Sequence, residues 1–413
     1  MIYNIIAIIL GIICGIITGI TPGLHVNTVG IIIFSLSEKI TQHTNPLTLC
    51  TFFVTIAICH AMIEFIPSLL IGVPTEDTLL SIQPGHRLLF KGEGKKVIRL
   101  VSFGGYTSII LLTILFPMLY FILPPLYTLF KDYIAYLLII TMTIILYYSS
   151  RQKKRRWINI VIFIASGILG ITILSSNMDS NMGLLVMLSG LFSVSSLLYN
   201  SSKESEIPPQ KETKNITLDK GFKKSVFAGS ISGCILGLLP GLGPAQGTLI
   251  AQSLTLNRNI KPEEFIVTNS GVNISDTLFS IIAIYLISNP RSAISVYVSN
   301  IINDVTFNHV IFFIIVSIIT VSISCIISIK ISDYLIEKLP RMNYMKLNIS
   351  IVGVITFIVV AFALANSVPL FYMLICYVTS IALGMIPNIF DTSKSSLMGV
   401  LIVPAIITYL GFF

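Results

Sequence analysis

Apolar residues run along this chain in long unbroken stretches, with polar residues confined to short intervals between them. Runs of the roughly 17 to 25 residues that an apolar helix needs to span a bilayer fall at 100–123, 133–149, 157–175 and 182–199. Four more follow at 309–329, 347–365, 368–387 and 395–413. Each half also opens with a glycine-rich segment (2–37 and 225–256) and continues into a longer apolar run that carries an acidic residue (46–74 and 264–289). In lipid such runs satisfy their backbone polar groups only as helices. The pattern predicts an all-α polytopic membrane protein built of two repeats, 1–200 and 225–413, joined by the polar linker 201–224.

The repeat has a register. A shift of 218 places Gly11, Gly15, Gly19, Pro22, Gly23 and Leu24 on Gly229, Gly233, Gly237, Pro240, Gly241 and Leu242 without a gap. Orientation follows from Lys and Arg, which accumulate in short cytoplasmic loops. With the linker inside, alternation puts all of the 26 basic residues except Lys39, Lys131 and Arg291 on the cytoplasmic side. Both termini then lie outside. The stretch after the acidic run falls inside in the first half (75–99) and outside in the second (290–308), so the repeats are expected to be inverted. Inverted repeats are a plan of secondary transporters, whose substrate sits at the repeat interface near the midplane.

Composition narrows the classes. The 413 residues are 54% hydrophobic and 11% charged, with a mean hydropathy of +0.91, against about 25% charged in soluble domains. The net charge of +8 resides in topogenic loops, which argues against a nucleic-acid partner. Cys14, Cys50, Cys59, Cys234, Cys325 and Cys376 all lie in apolar segments without C-x-x-C spacing and read as packing residues. The N-terminus has no basic n-region ahead of its apolar run, so that run is expected to be retained.

Two interrupted helices carry the strongest chemical signal: Gly19-Ile-Thr21-Pro22-Gly23-Leu-His25-Val-Asn27-Thr28 and Gly237-Leu-Leu-Pro240-Gly241-Leu-Gly243-Pro244-Ala-Gln246-Gly247-Thr248. Proline removes a donor and clashes with the preceding turn, and glycine permits the unwound backbone that follows. Each new half-helix presents free N–H groups and a partial positive charge at its start, which suits an anionic group. His25, Asn27 and Thr28 in one half, and Gln246 and Thr248 in the other, add donors. Thr21, Pro22, Gly23, His25, Asn27, Thr28, Pro240, Gly241, Gly243, Gln246 and Thr248 are therefore the candidate substrate residues. Gly11, Gly15, Gly229 and Gly233 are read as packing glycines that let helices approach.

Ionisable residues inside a span mark ion or substrate paths by default. Glu64 and Asp276 are two, and Asn273 and Ser275 add hard oxygens beside Asp276. These four form the candidate ion-coupling set, for Na+ or, through Glu64, for H+. No other cofactor is expected, since His60 and Glu64 lack a third metal ligand and an H-E-x-x-H pattern. Pro74 and Pro290 mark either further hairpin tips or interfacial loops.

The glycine and Pro-Gly order in both halves, with Pro84-Gly85-His86-Arg87-Leu-Leu-Phe-Lys-Gly92-Glu-Gly94 and Ser102-Phe-Gly104-Gly105, resembles the TctA family of large membrane subunits from tripartite tricarboxylate transporters, closest to its archaeal TctA-like branch. The resemblance implies a cation-coupled carboxylate permease that works with a small membrane subunit and an extracytoplasmic binding protein, and it carries over to Pro22, Gly23, Pro240 and Gly241. The chain departs from the bacterial pattern at His25, Asn27, Pro74-Thr and Pro290-Arg. The expected function is a secondary transporter of a small organic anion at the cell membrane, with a homodimer left open. The alternative is a translocase for polyprenyl-phosphate lipid carriers. An intramembrane enzyme using His25, His60 and Glu64 lacks a recognisable nucleophile and base.

Overall fold

The computed structural model describes residues 2–22, 24–73, 75, 77–148, 153–201, 208–213, 216, 220–239, 241–255, 261–339, 343–365 and 368–412. Among them every regular element is helical. The first half runs through α1 (Ile2–Ile20), α2 (Val26–Ser35), α3 (Ser37–Thr41), α4 (Pro46–Ile63), α5 (Ile82–Leu89), α6 (Gly94–Phe130), α7 (Ile134–Tyr148), α8 (Lys153–Leu174), α9 (Ser180–Leu188) and α10 (Ser195–Ser201). The second half contains α11 (Lys220–Leu236), α12 (Pro244–Thr255), α13 (Pro262–Ile287), α14 (Ala293–Ile301), α15 (Phe307–Lys338), α16 (Tyr344–Ala365), α17 (Leu370–Ile389) and α18 (Gly399–Tyr409). Nine helical runs among the described residues are long and apolar enough to cross a bilayer.

The glycine register seen in the sequence is a packing seam. A Cβ on Gly15 would stand 2.6 Å from Cys59 Cβ and 3.1 Å from the Ile56 carbonyl, and one on Gly233 would stand 2.6 Å from Ser275 Cβ and 2.9 Å from the Val272 carbonyl. Gly19 meets Ile63 as Gly237 meets Phe279. In each case the partners are 216 residues apart, so α1 on α4 and α11 on α13 are the same joint made twice. Small residues are what such backbone contact requires.

Around these joints lie two apolar cores. One gathers α1, α4, α6, α13 and α15, with Phe53, Phe65, Phe279 and Phe313 fully buried. The other gathers α7 to α9 and α16 to α18, with α11 and α12 packed on it. α4 is buried on every side, as a helix apolar all round must be. It starts at an Asn45 cap that accepts from Leu47 N, with Pro46 in its first turn, where proline's missing N–H costs nothing.

Three stretches differ from the expected spans. The run expected at 100–123 lies inside a 37-residue helix, α6, that contains Pro117, Pro124 and Pro125. At 1.5 Å per residue it is about 55 Å long, and its extra N-terminal turns hold the basic end described below. The C-terminal run, expected at 395–413, opens instead with a tight turn, Lys394–Met398, and α18 has only 11 residues. Its first turns are pressed on α8, where a Cβ on Gly399 or Gly170 would meet the backbone of Phe163 or Val400. The polar linker does not only connect the halves but docks through 208–213. Lys211 N donates to Gly92 O (2.7 Å), and Gln210 Oε1 accepts from Gly94 N (2.8 Å). Glu212 pairs with Lys95, which also reaches Glu337 at 3.1 Å. With Lys96–Glu263 (2.9 Å) and the forked Arg99–Asp333 pair (2.8 Å), this brings the linker and the start of α6 to one face of the molecule.

Candidate functional site

The first helix interruption builds a cavity of about 60 Å³ where the two cores meet. On one wall stand the end of α1, the start of α2, and α4 with its continuation, a π-helical turn at Pro67–Ile71. On the other stand Leu184, Leu185 and Leu188 of α9 with Ser189 and Ser193 of a second π-helical turn, Ser189–Val194. Thr21 N closes the last turn of α1 on Ile17 O (3.0 Å), and the chain resumes with Leu24 N on Thr21 O (3.2 Å). His25 then caps α2 in extended backbone, its Nδ1 accepting from Asn27 N at 3.2 Å. An accepting Nδ1 leaves the proton on Nε2, so the capping ring keeps a donor for a ligand.

His60 stacks obliquely on His25 with ring centroids 5.2 Å apart. Thr18 Oγ1 donates to the Gly15 carbonyl (3.2 Å) and lies 3.0 Å from His60 Nδ1, which assigns the His60 proton to Nδ1. His60 Nε2 then turns its lone pair toward Glu64 Oε2 at 3.8 Å, without a hydrogen-bond partner among the described residues. Glu64 is 1% exposed, and its Oε1 accepts from Asn273 Nδ2 at 2.7 Å, a bond that ties α4 to α13 across the repeats. Asn273 also donates to Ala61 O (3.2 Å).

Thr21, Pro22, His25 and Asn27 thus line one cavity together with Glu64, and Asn273 reaches it through Glu64. Gly23, Pro240 and the side chain of Thr28 lie outside the described residues. The second interruption stands apart. Gly241 adopts φ +79°, a left-handed turn that glycine permits, and Gln246 Oε1 accepts from Gly243 N (3.0 Å) at the start of α12. Thr248 Oγ1 donates to Pro244 O (2.8 Å) and accepts from Asn269 Nδ2 (2.7 Å), and the same amide reaches Asp77 O (3.2 Å). Gln246 Oε1 and the Thr248 hydroxyl are thus engaged by the protein, while Gln246 Nε2 is buried without a hydrogen-bond partner among the described residues. Ser275 is buried, while Asp276 lies within electrostatic range of Asp77 and Arg291. Arg291 in turn caps the Leu238 carbonyl at 2.7 Å.

A helix break offering N–H and imidazole donors, inside a duplicated all-helical frame, is the arrangement that the sequence motifs anticipate. The model of the tripartite tricarboxylate transporter TctA family matches residues 5–399. The chain belongs to this family. A curated relative, an uncharacterized protein of Methanocaldococcus jannaschii, is 31% identical over 411 residues, covering 98% of this chain and 99% of its own. No solved structure matches the chain. As a TctA-family protein it is a multi-pass membrane component of a tricarboxylate-type transporter, from a family that works with partner subunits and is not an enzyme family.

Several residues at the two breaks in this TctA-family chain were not anticipated as site residues: Thr18, Ser189, Ser193, Asn269 and Asp77, while His60 was weighed only as a metal ligand or catalytic residue. The run Ser189-Gly-Leu-Phe-Ser193-Val-Ser-Ser, polar within an apolar span, is a signal that marks the cavity's second wall. Nothing in the sequence shows that this wall faces α1.

Proposed function

We propose that this TctA-family chain is a cation-coupled secondary transporter of a small organic anion, a carboxylate, held at the first helix break. The observation that carries the reading is the cavity itself. The α2 N-terminus, the His25 Nε2 proton and the Asn27 side chain supply donors around it, and Glu64, the one lining carboxylate among the described residues, is engaged by Asn273. About 60 Å³ admits several waters at roughly 10–15 Å³ each, or a carboxylate group in their place. A tricarboxylate requires the cavity to widen.

The coupling cation is assigned to the gap between His60 Nε2 and Glu64 Oε2, where a lone pair and a carboxylate face each other. Asp276, Ser275 and the second break serve as the packing counterpart in the other repeat. Inversion of the repeats is part of this reading and rests on the placement of Lys and Arg. The family supplies the expectation of a small membrane subunit and an extracytoplasmic binding protein as partners.

The test is thermal unfolding of the purified protein against small carboxylates, inorganic anions and short-chain polyprenyl phosphates, each with and without sodium. A ligand at about 100 times its Kd stabilises by about 2.7 kcal/mol. Stabilisation by a carboxylate that is lost in His25→Ala supports the proposal, and enhancement by sodium identifies the ion. Stabilisation by polyprenyl phosphates alone overturns it in favour of a lipid-carrier translocase.

A further inference from the structure

A second, larger cavity of about 1150 Å³ opens on the face that carries the linker and the start of α6. Its wall is basic: Arg87, Lys91, Arg155 and Lys394 line it, with His86 and Ser196 between them. Among the described residues one carboxylate is in the lining, Asp391, and it is taken by Arg155 at 3.0 Å. Lys394 points its ammonium at a neutral group, Ser196 Oγ, at 2.6 Å. No carboxylate pairs with it among the described residues. His86 Nε2, Asn388 Nδ2 and Thr392 Oγ1, from three further lining residues, are buried without a hydrogen-bond partner among the described residues. Arg87, Lys91 and Lys394, without a carboxylate partner among the described residues and gathered on one concave wall, are what an anion requires.

This vestibule lies directly behind the small cavity. Val73 and Thr75 line the cavity, whereas Gly72 and Leu79 line the vestibule. On the facing helix Ser193 belongs to the first and Ser196, three residues on, to the second. The partition is a strap whose described residues are Gly72, Val73, Thr75 and Asp77 to Leu79. Hydroxyls close it: Ser68 Oγ and Thr75 Oγ1 lie 2.7 and 2.8 Å from Thr78 Oγ1, and Ser68 Oγ also donates to Val73 O at 3.1 Å.

We propose that the vestibule is a second anion-binding site, centred on Lys394, that receives the transported carboxylate on the cytoplasmic side of the strap. The carboxylate class and the side rest on the function proposed above, while the anion site rests on the vestibule's own residues.

The experiment uses Asn200→Cys, a vestibule-lining position on α10, in the full-length protein, with the wild type as the background for its native cysteines. Modification rates by sulfonatoethyl and trimethylammonioethyl methanethiosulfonates are each normalised to a free thiol. Charge steering of this kind is worth about tenfold or more, so the anionic reagent is expected to react at least about tenfold faster. Lys394→Gln should cut that preference several-fold. Succinate should slow the reaction in Asn200→Cys and in Asn200→Cys/His25→Ala, but not in Asn200→Cys/Lys394→Gln. Equal rates for the two reagents, or a preference untouched by Lys394→Gln, overturns the vestibule site whatever the protein carries. A Lys394-dependent preference without protection by any carboxylate upholds the anion site and overturns the carboxylate reading instead.

Discussion

The Glu64–Asn273 bond allows the charge of the buried carboxylate to be read from stability alone. Both side chains are at most 3% exposed, and the 2.7 Å contact joins the two repeats through their central helices, α4 and α13. Asn273→Ala deletes the donor while leaving the Cα trace free to stay in place. Hydrogen bonds to charged groups are worth about 1.5–3 kcal/mol, whereas neutral bonds between membrane helices average about 0.6 kcal/mol. If Glu64 is ionised, Asn273→Ala should therefore destabilise by about 1.5–3 kcal/mol in the wild type and by only about 0.6 kcal/mol in a Glu64→Gln background, where a neutral amide oxygen takes the same place. The difference between the two penalties, about 1–2 kcal/mol, is the quantity of interest. It is measured by reversible unfolding in mixed micelles with increasing SDS, on four proteins at one pH. A penalty near 0.6 kcal/mol in both backgrounds assigns Glu64 as protonated and refutes an ionised carboxylate as the cation ligand. A penalty near zero in both refutes the bond as a link between the repeats.

Two further outcomes are expected. Gly15→Ala and Gly233→Ala each drive a Cβ to 2.6 Å from a neighbouring Cβ and should cost about 1–3 kcal/mol by overpacking in the same unfolding assay; Gly353→Ala, with nothing within 4 Å, should gain about 0.5–1 kcal/mol from helix propensity, and equal effects at all three would dismiss the seam. Thr78→Val removes the hydroxyl shared by Ser68 and Thr75, so the amides of Val73, Thr75 and Thr78 should exchange hydrogen about tenfold faster or more, as about 1.4 kcal/mol of lost closure implies; unchanged exchange would show that the strap is held by something else.

Much of the frame was legible because its causes are local or periodic. Apolar length marks spans, glycines four apart mark a close joint, and Pro22 with its neighbours marks the break that the structure places between α1 and α2. What escaped was set by contacts between distant segments. Nothing local tells that α9 and the turn at Ser189–Val194 close the cavity opposite His25, or that the Gln246 side-chain oxygen and the Thr248 hydroxyl are spent on Gly243, Pro244 and Asn269. The length of α6 was missed for a different reason. Its extra turn at the N-terminus is polar, and Lys95, Lys96 and Arg99 find carboxylates on α13, α15 and the linker, partners that no hydropathy window can register.

The duplicated joint also shows where the two repeats part company. Because Cys59 answers to Ser275 and Ile63 to Phe279 across the glycine seams, His60 answers to Asp276 and Glu64 to Ser280. One repeat therefore sets an imidazole and a carboxylate one turn apart beside its broken helix. The other sets a carboxylate and a hydroxyl there, and its Asp276 lies within electrostatic range of Asp77 and Arg291. The two joints match where glycine contact leaves no room for a side chain, and they differ at the positions that look past the seam. An anion-binding break needs donors without a competing free carboxylate, and Asn273 of the second repeat engages the carboxylate of the first, Glu64. The asymmetry is thus a division of labour: one copy lines the cavity, and the other supplies the amide that holds the cavity's acid in place.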